Sequence, residues 1–312
     1  MKRLLPLLTA ILVVQVMLVI YCYSGGRQET GVGEPLVSLN TATVDHITIM
    51  DGDTKQVTLE KRKGKWILPD HFEVAADGSR IGGLLEKIVT IKAGWPVATT
   101  ASAALRFHVA DEQFKVKLVL QEKEKKATIF LGDSAGARSA YLRLEGSSDI
   151  FRGTLATYDF PVDPDKWLDP SLVKLDRKEI VELRINDLTL VREKDDFLLK
   201  DAGKGKTKKS VAANLVSTLA DLKVDGVLGR KKDPSYTLDN PALLVSVKKK
   251  DGSTVEYRFA KDKKGETDYI LKCSDRNEYF RVALWRINSL LDTKRDDLLE
   301  KEKTDPAEKE KG

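Results

Sequence analysis

Phe107-His-Val-Ala-Asp-Glu-Gln-Phe-Lys-Val-Lys-Leu118 and Tyr236-Thr-Leu-Asp-Asn-Pro-Ala-Leu-Leu-Val-Ser-Val247 are two spellings of one pattern. An aromatic–x–aliphatic step opens each, and an alternating apolar run closes each, Phe114-x-Val116-x-Leu118 against Leu243-x-Val245-x-Val247. Upstream, Trp66-Ile-Leu68 falls on Phe197-Leu-Leu199, and Leu84, Ile88 and Ile91 fall on Leu215, Leu219 and Leu222. Downstream, Leu131-Gly132 falls on Phe259-Ala260, Tyr141-Leu142 on Tyr269-Ile270, and Ile150-Phe-Arg152 on Tyr279-Phe-Arg281. The offset drifts only between 131 and 128, so one unit is written twice with few insertions. A clear duplication without a duplicated chemical motif points away from an enzyme.

Each copy opens with strand signals. Val44-x-x-Ile47-x-Ile49, a turn at Asp51-Gly52-Asp53, and Val57-x-Leu59 read as a hairpin, with Lys65–Leu68 as a third strand before Pro69. Their counterparts are Val181-x-Leu183-x-Ile185, a turn at Asn186-Asp187, Leu188-x-Leu190 and Phe197–Leu199. A helix follows: Ile81, Leu84, Leu85, Ile88 and Ile91 have helical spacing behind an Asp77 N-cap, and Val211, Leu215, Leu219 and Leu222 repeat it behind Ser210. Strands are then expected at 114–120, 126–131, 139–145 and 149–152, mirrored at 243–248, 254–260, 268–273 and 278–282. A short helical stretch around Leu155, and another at Leu284–Ile287, closes each copy. The predicted fold class is α+β: two tandem copies of a mostly antiparallel sheet with a packed helix, at 44–160 and 178–299. A proline-punctuated connector spans 161–177, and the Lys/Glu-rich stretch 300–312 has little to bury and is expected to be disordered.

The chain has 312 residues, 41% hydrophobic and 32% charged, enough for two domains with proper cores. Met1-Lys-Arg3 leads into an apolar run, Leu4–Tyr23. Twenty helical residues rise about 30 Å, the thickness of a bilayer's hydrocarbon core. The run is therefore read as one transmembrane anchor over 1–23, followed by a glycine-containing tether over 24–43. Lys2 and Arg3 would stay cytoplasmic, placing the body on the periplasmic side of a bacterial inner membrane. A cleaved signal peptide with Ser24-Gly25-Gly26 as its processing site is the rival reading, but the run exceeds a signal core of about 7–15 residues. Cys22 follows the bulky Tyr21, which argues against a lipoprotein. Cys273 is the only other cysteine, so no internal disulfide framework exists.

Net charge is +5, distributed as +1 over 44–160 and +5 over 178–299. Lys204, Lys206, Lys208 and Lys209, Arg230-Lys-Lys232 and Lys248-Lys-Lys250 carry the excess. These runs fall at expected turns without interleaved aromatics, which reads as solvated surface rather than a nucleic-acid face. Contact with anionic lipid or cell-wall polymer is a lesser alternative.

Four patterns invite chemical readings. Gly132-Asp-Ser-Ala-Gly136 matches G-x-S-x-G, but a strand pattern follows where a nucleophile elbow needs a helix, and His46, His71 and His108 all precede Ser134. A hairpin turn is expected there. The three histidines lack ligand spacing, and His108 aligns with Thr237, so no metal site is expected. Asp163, Asp165 and Asp169 flank Pro164 without the glycine or terminal glutamate of a calcium loop, and read as capping and turn residues. Gly203-Lys-Gly-Lys206 lacks the strand and spacing of a phosphate loop. The recurring aromatics Trp66, Phe107, Tyr141 and Phe151, with Phe197, Tyr236, Tyr269 and Phe280, are expected in a duplicated core rather than on a glycan platform. No catalytic, cofactor-binding or metal-binding residue is assigned.

Trp66-Ile-Leu-Pro69, Ala76-Asp77 before a helix, Tyr236-Thr-Leu-Asp-Asn-Pro241 and the N-terminal apolar run together resemble the bacterial family called domain of unknown function 4340. That family commonly has glycine where Thr237 stands, and the first copy has only Phe107-His-Val-Ala-Asp-Glu112. Members are often encoded beside ABC transporter components related to those of gliding motility. The resemblance implies a non-enzymatic accessory or scaffold at the inner membrane, with an ABC permease or ATPase complex as partner. The alternative is a periplasmic binder of cell-wall polymer or another anionic ligand.

Overall fold

The structure, a computed structural model, describes residues 12–17, 33–203, 205–262 and 268–300. The first repeat runs β1 (His46–Asp51), β2 (Gln56–Arg62), β3 (Lys65–Leu68), β4 (Val74–Ala75), α1 (Gly78–Thr90), α2 (Ala101–Arg106), β5 (Val116–Glu122), β6 (Lys125–Gly136), β7 (Ser139–Leu144) and β8 (Ile150–Gly153). The second runs β9 (Ile180–Ile185), β10 (Leu188–Glu193), β11 (Asp196–Leu199), α3 (Lys209–Ala220), β12 (Gly226–Gly229), β13 (Leu243–Lys249), β14 (Thr254–Lys261), β15 (Asp268–Cys273), β16 (Tyr279–Ala283) and α4 (Leu284–Asp292). Each forms one eight-stranded antiparallel sheet, in the orders β4-β3-β2-β1-β5-β6-β7-β8 and β11-β10-β9-β13-β14-β15-β16-β12. The fold is α+β.

Register shows the duplication directly. Ile49 of β1 lies between Val57 and Leu118, and Ile185 of β9 lies between Leu188 and Val245. Alternation sends one set of side chains inward: Val116, Leu118 and Leu120 on β5, and Leu243, Val245 and Val247 on β13, are all buried. Helix α1 lays Ile81, Leu84, Leu85 and Ile88 on that face, and Asp77 caps it by accepting from the Arg80 N–H at 3.0 Å. The opposite face of each sheet carries a smaller cluster. Val109, Phe130, Ile150 and the α2 alanines Ala103 and Ala104 form one, and Leu238, Ala260, Ile270 and Tyr279 the other.

Four local expectations are corrected. Residue 208, not Ser210, is the N-cap of α3; Lys208 offers no side-chain acceptor, and Ser210 sits inside the first turn. Helix α2 and the edge strands β4 and β12 are too short for periodicity to announce. Part of the stretch read as a tether lies against the body: Leu36 and Val37 are buried, and the N–H of Leu36 donates to the Ile91 carbonyl at 2.7 Å. The stretch read as a connector is built like the end of a repeat. Asp77 N–H donates to the Trp167 carbonyl and Asp169 N–H to that of Ala75, and in the second repeat Lys208 N–H donates to Leu298 and Glu300 N–H to Lys206. These bonds are equivalent, so the duplicated unit extends to residue 169.

The connector also joins the cores. Trp167, Leu168, Leu172, Val173 and Leu175 belong to one buried cluster with residues of both repeats. Trp167 is 0% exposed, stacks under the Arg80 guanidinium at 4.4 Å, and donates from Nε1 to the Pro161 carbonyl at 2.8 Å. The apolar run Leu4–Tyr23 and the tail over 301–312 lie outside the described residues, except 12–17, which are helical and exposed. Among the described residues no helix is long and apolar enough to cross a membrane.

Trp167→Ala is expected to cost about 3–5 kcal/mol, as removal of a buried aromatic does. Urea unfolding checks this; a change within about 0.5 kcal/mol, usual for surface positions, would return Trp167 to an ordinary linker.

Candidate functional site at the junction of the repeats

The densest polar cluster linking the repeats gathers around Asp165. Asp163 caps a short 3-10 turn, Pro164–Trp167, by accepting from the Asp165 N–H at 3.0 Å. That turn aims the Asp165 carboxylate at the second repeat. Oδ1 lies 2.9 Å from His71 Nε2 and accepts from the Val227 N–H at 3.0 Å, while Oδ2 accepts from Arg281 Nη2 at 3.0 Å. Val227 is on β12 and Arg281 on the adjacent β16, so one carboxylate ties the end of the first repeat to the edge of the second sheet.

The surroundings fit this carboxylate closely. A Cβ on Gly226 would stand 2.4 Å from Asp165 Oδ2 and 2.7 Å from Arg281 Nη2, so only hydrogen leaves room for the pair. Phe72 and Glu73 follow His71 with left-handed backbone, φ 58° and 53°, and the Phe72 carbonyl accepts from Arg230 of the second repeat. One layer behind, Asp225 takes the Arg286 guanidinium through both oxygens, at 2.8 and 2.9 Å, and accepts from the Ala283 N–H at 2.9 Å.

Burial pushes the Asp165 carboxyl upward, but it is outweighed. The His71 and Val227 hydrogen bonds, with the charges of His71 and Arg281, hold it below the usual carboxylate range. At Asp225, burial is likewise outweighed by Arg286, the Ala283 N–H and Arg281. An Asp–His–Arg triplet resembles a general-base arrangement in composition only. Donors occupy both oxygens of Asp165, from both repeats, and the group acts as a fastener.

The residues singled out from sequence are placed as follows. Gly132–Gly136 is the end of strand β6, not the turn itself; the chain reverses one step later, at Ala137-Arg138. Two register shifts, between Leu131 and Ser134 and between Ser134 and Gly136, make the segment irregular, and that irregularity resembles a turn in sequence. Ser134 Oγ donates to the Gly136 carbonyl at 3.2 Å. Gly132 is fixed by close approach, since a Cβ there would meet the Phe107 carbonyl at 1.9 Å. His108 Nδ1 lies 2.7 Å from Asp133 Oδ2 at the surface. His108 and Thr237 differ in chemistry, yet both have left-handed backbone, φ 55° and 48°, so the position recurs as a turn.

Asp163 caps, and Asp169 accepts from the Ser171 N–H and hydroxyl at 2.8 and 2.7 Å; of these three acids only Asp165 crosses between repeats. Its partner Arg281 is 116 residues away, and no local spacing announces such a pair. Trp66, Phe151, Phe197 and Phe280 are buried. Burial pushes the thiol of Cys273 well upward. Several residues of the basic runs are paired: Lys209 with Asp196, Lys232 with Asp239, Arg230 with Glu278 and Lys250 with Glu179. Among the described residues no group of three or more metal-ligating side chains comes together.

Two shallow clefts occupy equivalent places, one per repeat, beside the segments 109–112 and 238–241. In the first, Arg143 donates to the Val109 carbonyl at 2.6 Å and to Asp111 Oδ1 at 2.8 Å. In the second, Lys272 lies over the Tyr279 ring and donates to the Cys273 carbonyl at 3.1 Å. Arg143 and Lys272 are each engaged with a backbone carbonyl, of Val109 and Cys273 respectively.

A tandem α+β protein whose polar clusters fasten one repeat to the next is the class these features define. The chain belongs to the family described as Domain of unknown function (DUF4340), whose model matches residues 66–241. That span begins at Trp66 on β3, crosses the junction with His71, Asp165 and Gly226, and ends at Pro241. No curated protein and no solved structure matches the chain.

Asp165→Asn is expected to cost about 1.5–3 kcal/mol, the range for hydrogen bonds to charged groups. Because the folded carboxyl titrates below the unfolded value of about 3.9, its contribution is complete above that pH and fades as pH falls through the folded value. Urea midpoints should therefore differ between wild type and variant at pH 7, and the difference should shrink as pH falls below the unfolded carboxyl value of about 3.9. Equal midpoints at pH 7 would remove Asp165 from the fastener.

Proposed function

We propose that this chain is a membrane-anchored, non-enzymatic periplasmic scaffold or accessory protein of an ABC-type transport complex. The observation that carries the reading is the fused body. Asp165 and the connector make two sheets into one unit, and the polar clusters with catalytic composition are spent on holding it together. A rigid body of this kind suits presentation of a surface to a partner. The apolar run Leu4–Tyr23 supports the anchor, and the cytoplasmic Lys2-Arg3 supports a periplasmic body. Family membership supports the accessory role only through the genomic company its members keep.

Full-length protein, isolated in mild detergent from its own cells, is expected to bring down ABC permease or ATPase subunits by mass spectrometry. An anchor-deleted control separates contact through the membrane segment from contact through the body. Preparations that carry no such subunit, together with salt-sensitive retention on cell-wall polymer, would replace the scaffold with the anionic-ligand binder.

A further inference from the structure

The sharpest unexplained surface feature is Trp95-Pro96-Val97, between α1 and α2. Trp95 is 81% exposed and Val97 51% exposed, although large aromatics are usually buried. Its place is informative. The lead-in strand pairs beside it: Gly33 N–H donates to the Ala93 carbonyl at 2.8 Å, Ala93 N–H donates to the Glu34 carbonyl at 2.8 Å, and Pro35 bridges Lys92. The chain therefore joins the body two residues from Trp95.

Nine residues, 24–32, separate that point from the end of the apolar run. Fully extended, they span at most about 30 Å. Resting on the anchor reading given above, we infer that this corner is a bilayer-contact surface, with Trp95 and Val97 seated at the headgroup level beside the protein's own anchor. An indole suits that depth, having an apolar body and one N–H for the wet side. Lys92 on the same corner is exposed and matches anionic headgroups, with Glu34 the opposing charge on the lead-in strand. The site takes a lipid surface rather than a discrete ligand, because it presents two neighbouring apolar side chains to solvent beside the anchor's point of entry.

The test uses full-length protein in phosphatidylethanolamine/phosphatidylglycerol vesicles whose acyl chains carry bromine, a short-range quencher of indole fluorescence. The apolar run contains no tryptophan, Trp66 and Trp167 are buried, and Trp285 is the only other exposed indole among the described residues. Lipid-dependent quenching should be lost in Trp95→Phe, kept in Trp285→Phe, and weakened in Val97→Glu. Vesicle flotation after an alkaline wash reports the anchor independently. Flotation with quenching unchanged by Trp95→Phe overturns the contact and leaves the anchor standing. Failure to float overturns the anchor, and the contact with it. A Trp95 emission that shifts with protein concentration instead of lipid assigns the corner to a second copy and also overturns the lipid contact.

Discussion

One half-buried carboxylate sets the relation between the two halves of this molecule. Asp165 leaves water only because three donors meet it, two of them supplied by the other repeat, and a carboxylate buried without them would be costly. The satisfaction of that charge demands a fixed register between the end of one sheet and the edge of the next. Apolar burial around Trp167, Leu168, Leu172 and Val173 supplies the bulk of the adhesion, being non-directional. The carboxylate supplies the direction.

The sheets themselves were largely legible in the sequence, because alternation and turn chemistry are local. Asp51 accepts from the N–H groups of Asp53 and Lys55, and Asn186 takes the left-handed backbone its hairpin needs. The helix α1 was legible for the same reason, through Asp77 and four apolar residues at helical spacing. Reading failed where local signals were ambiguous. Gly132–Gly136 has the composition of a turn but bends within a strand, since a bulged strand and a turn both favour small residues. The segment 161–169 is rich in proline and aspartate, which suggests a linker, yet its backbone hydrogen bonds reproduce those at the end of the second repeat.

The candidate site was less legible than the fold. His71, Asp165 and Arg281 were each visible, but as a stray histidine, a turn acid and a strand cation. Tertiary packing alone brings them together, across 94 and 116 residues of chain. The duplication held the one clue. Arg152 occupies the equivalent strand position to Arg281 and makes no ion pair among the described residues, so the role arises from the junction and not from the repeated unit.

The same asymmetry separates this joint from one that identical units could repeat. An interface between the tail of one unit and the head of the next does not close on itself, and identical units joined that way grow into filaments. The second repeat ends with Asp296 exposed where the first holds Asp165, so a tail remains on offer. The head of the first repeat differs from that of the second. Trp95-Pro96-Val97 stands in the segment where the second repeat has Gly226-Val227, and proline has no N–H to give a carboxylate while an indole fills space that glycine leaves empty. The first repeat thus lacks, at this position, both the N–H and the small residue that the second offers to Asp165, two residues from the point where the chain joins its body.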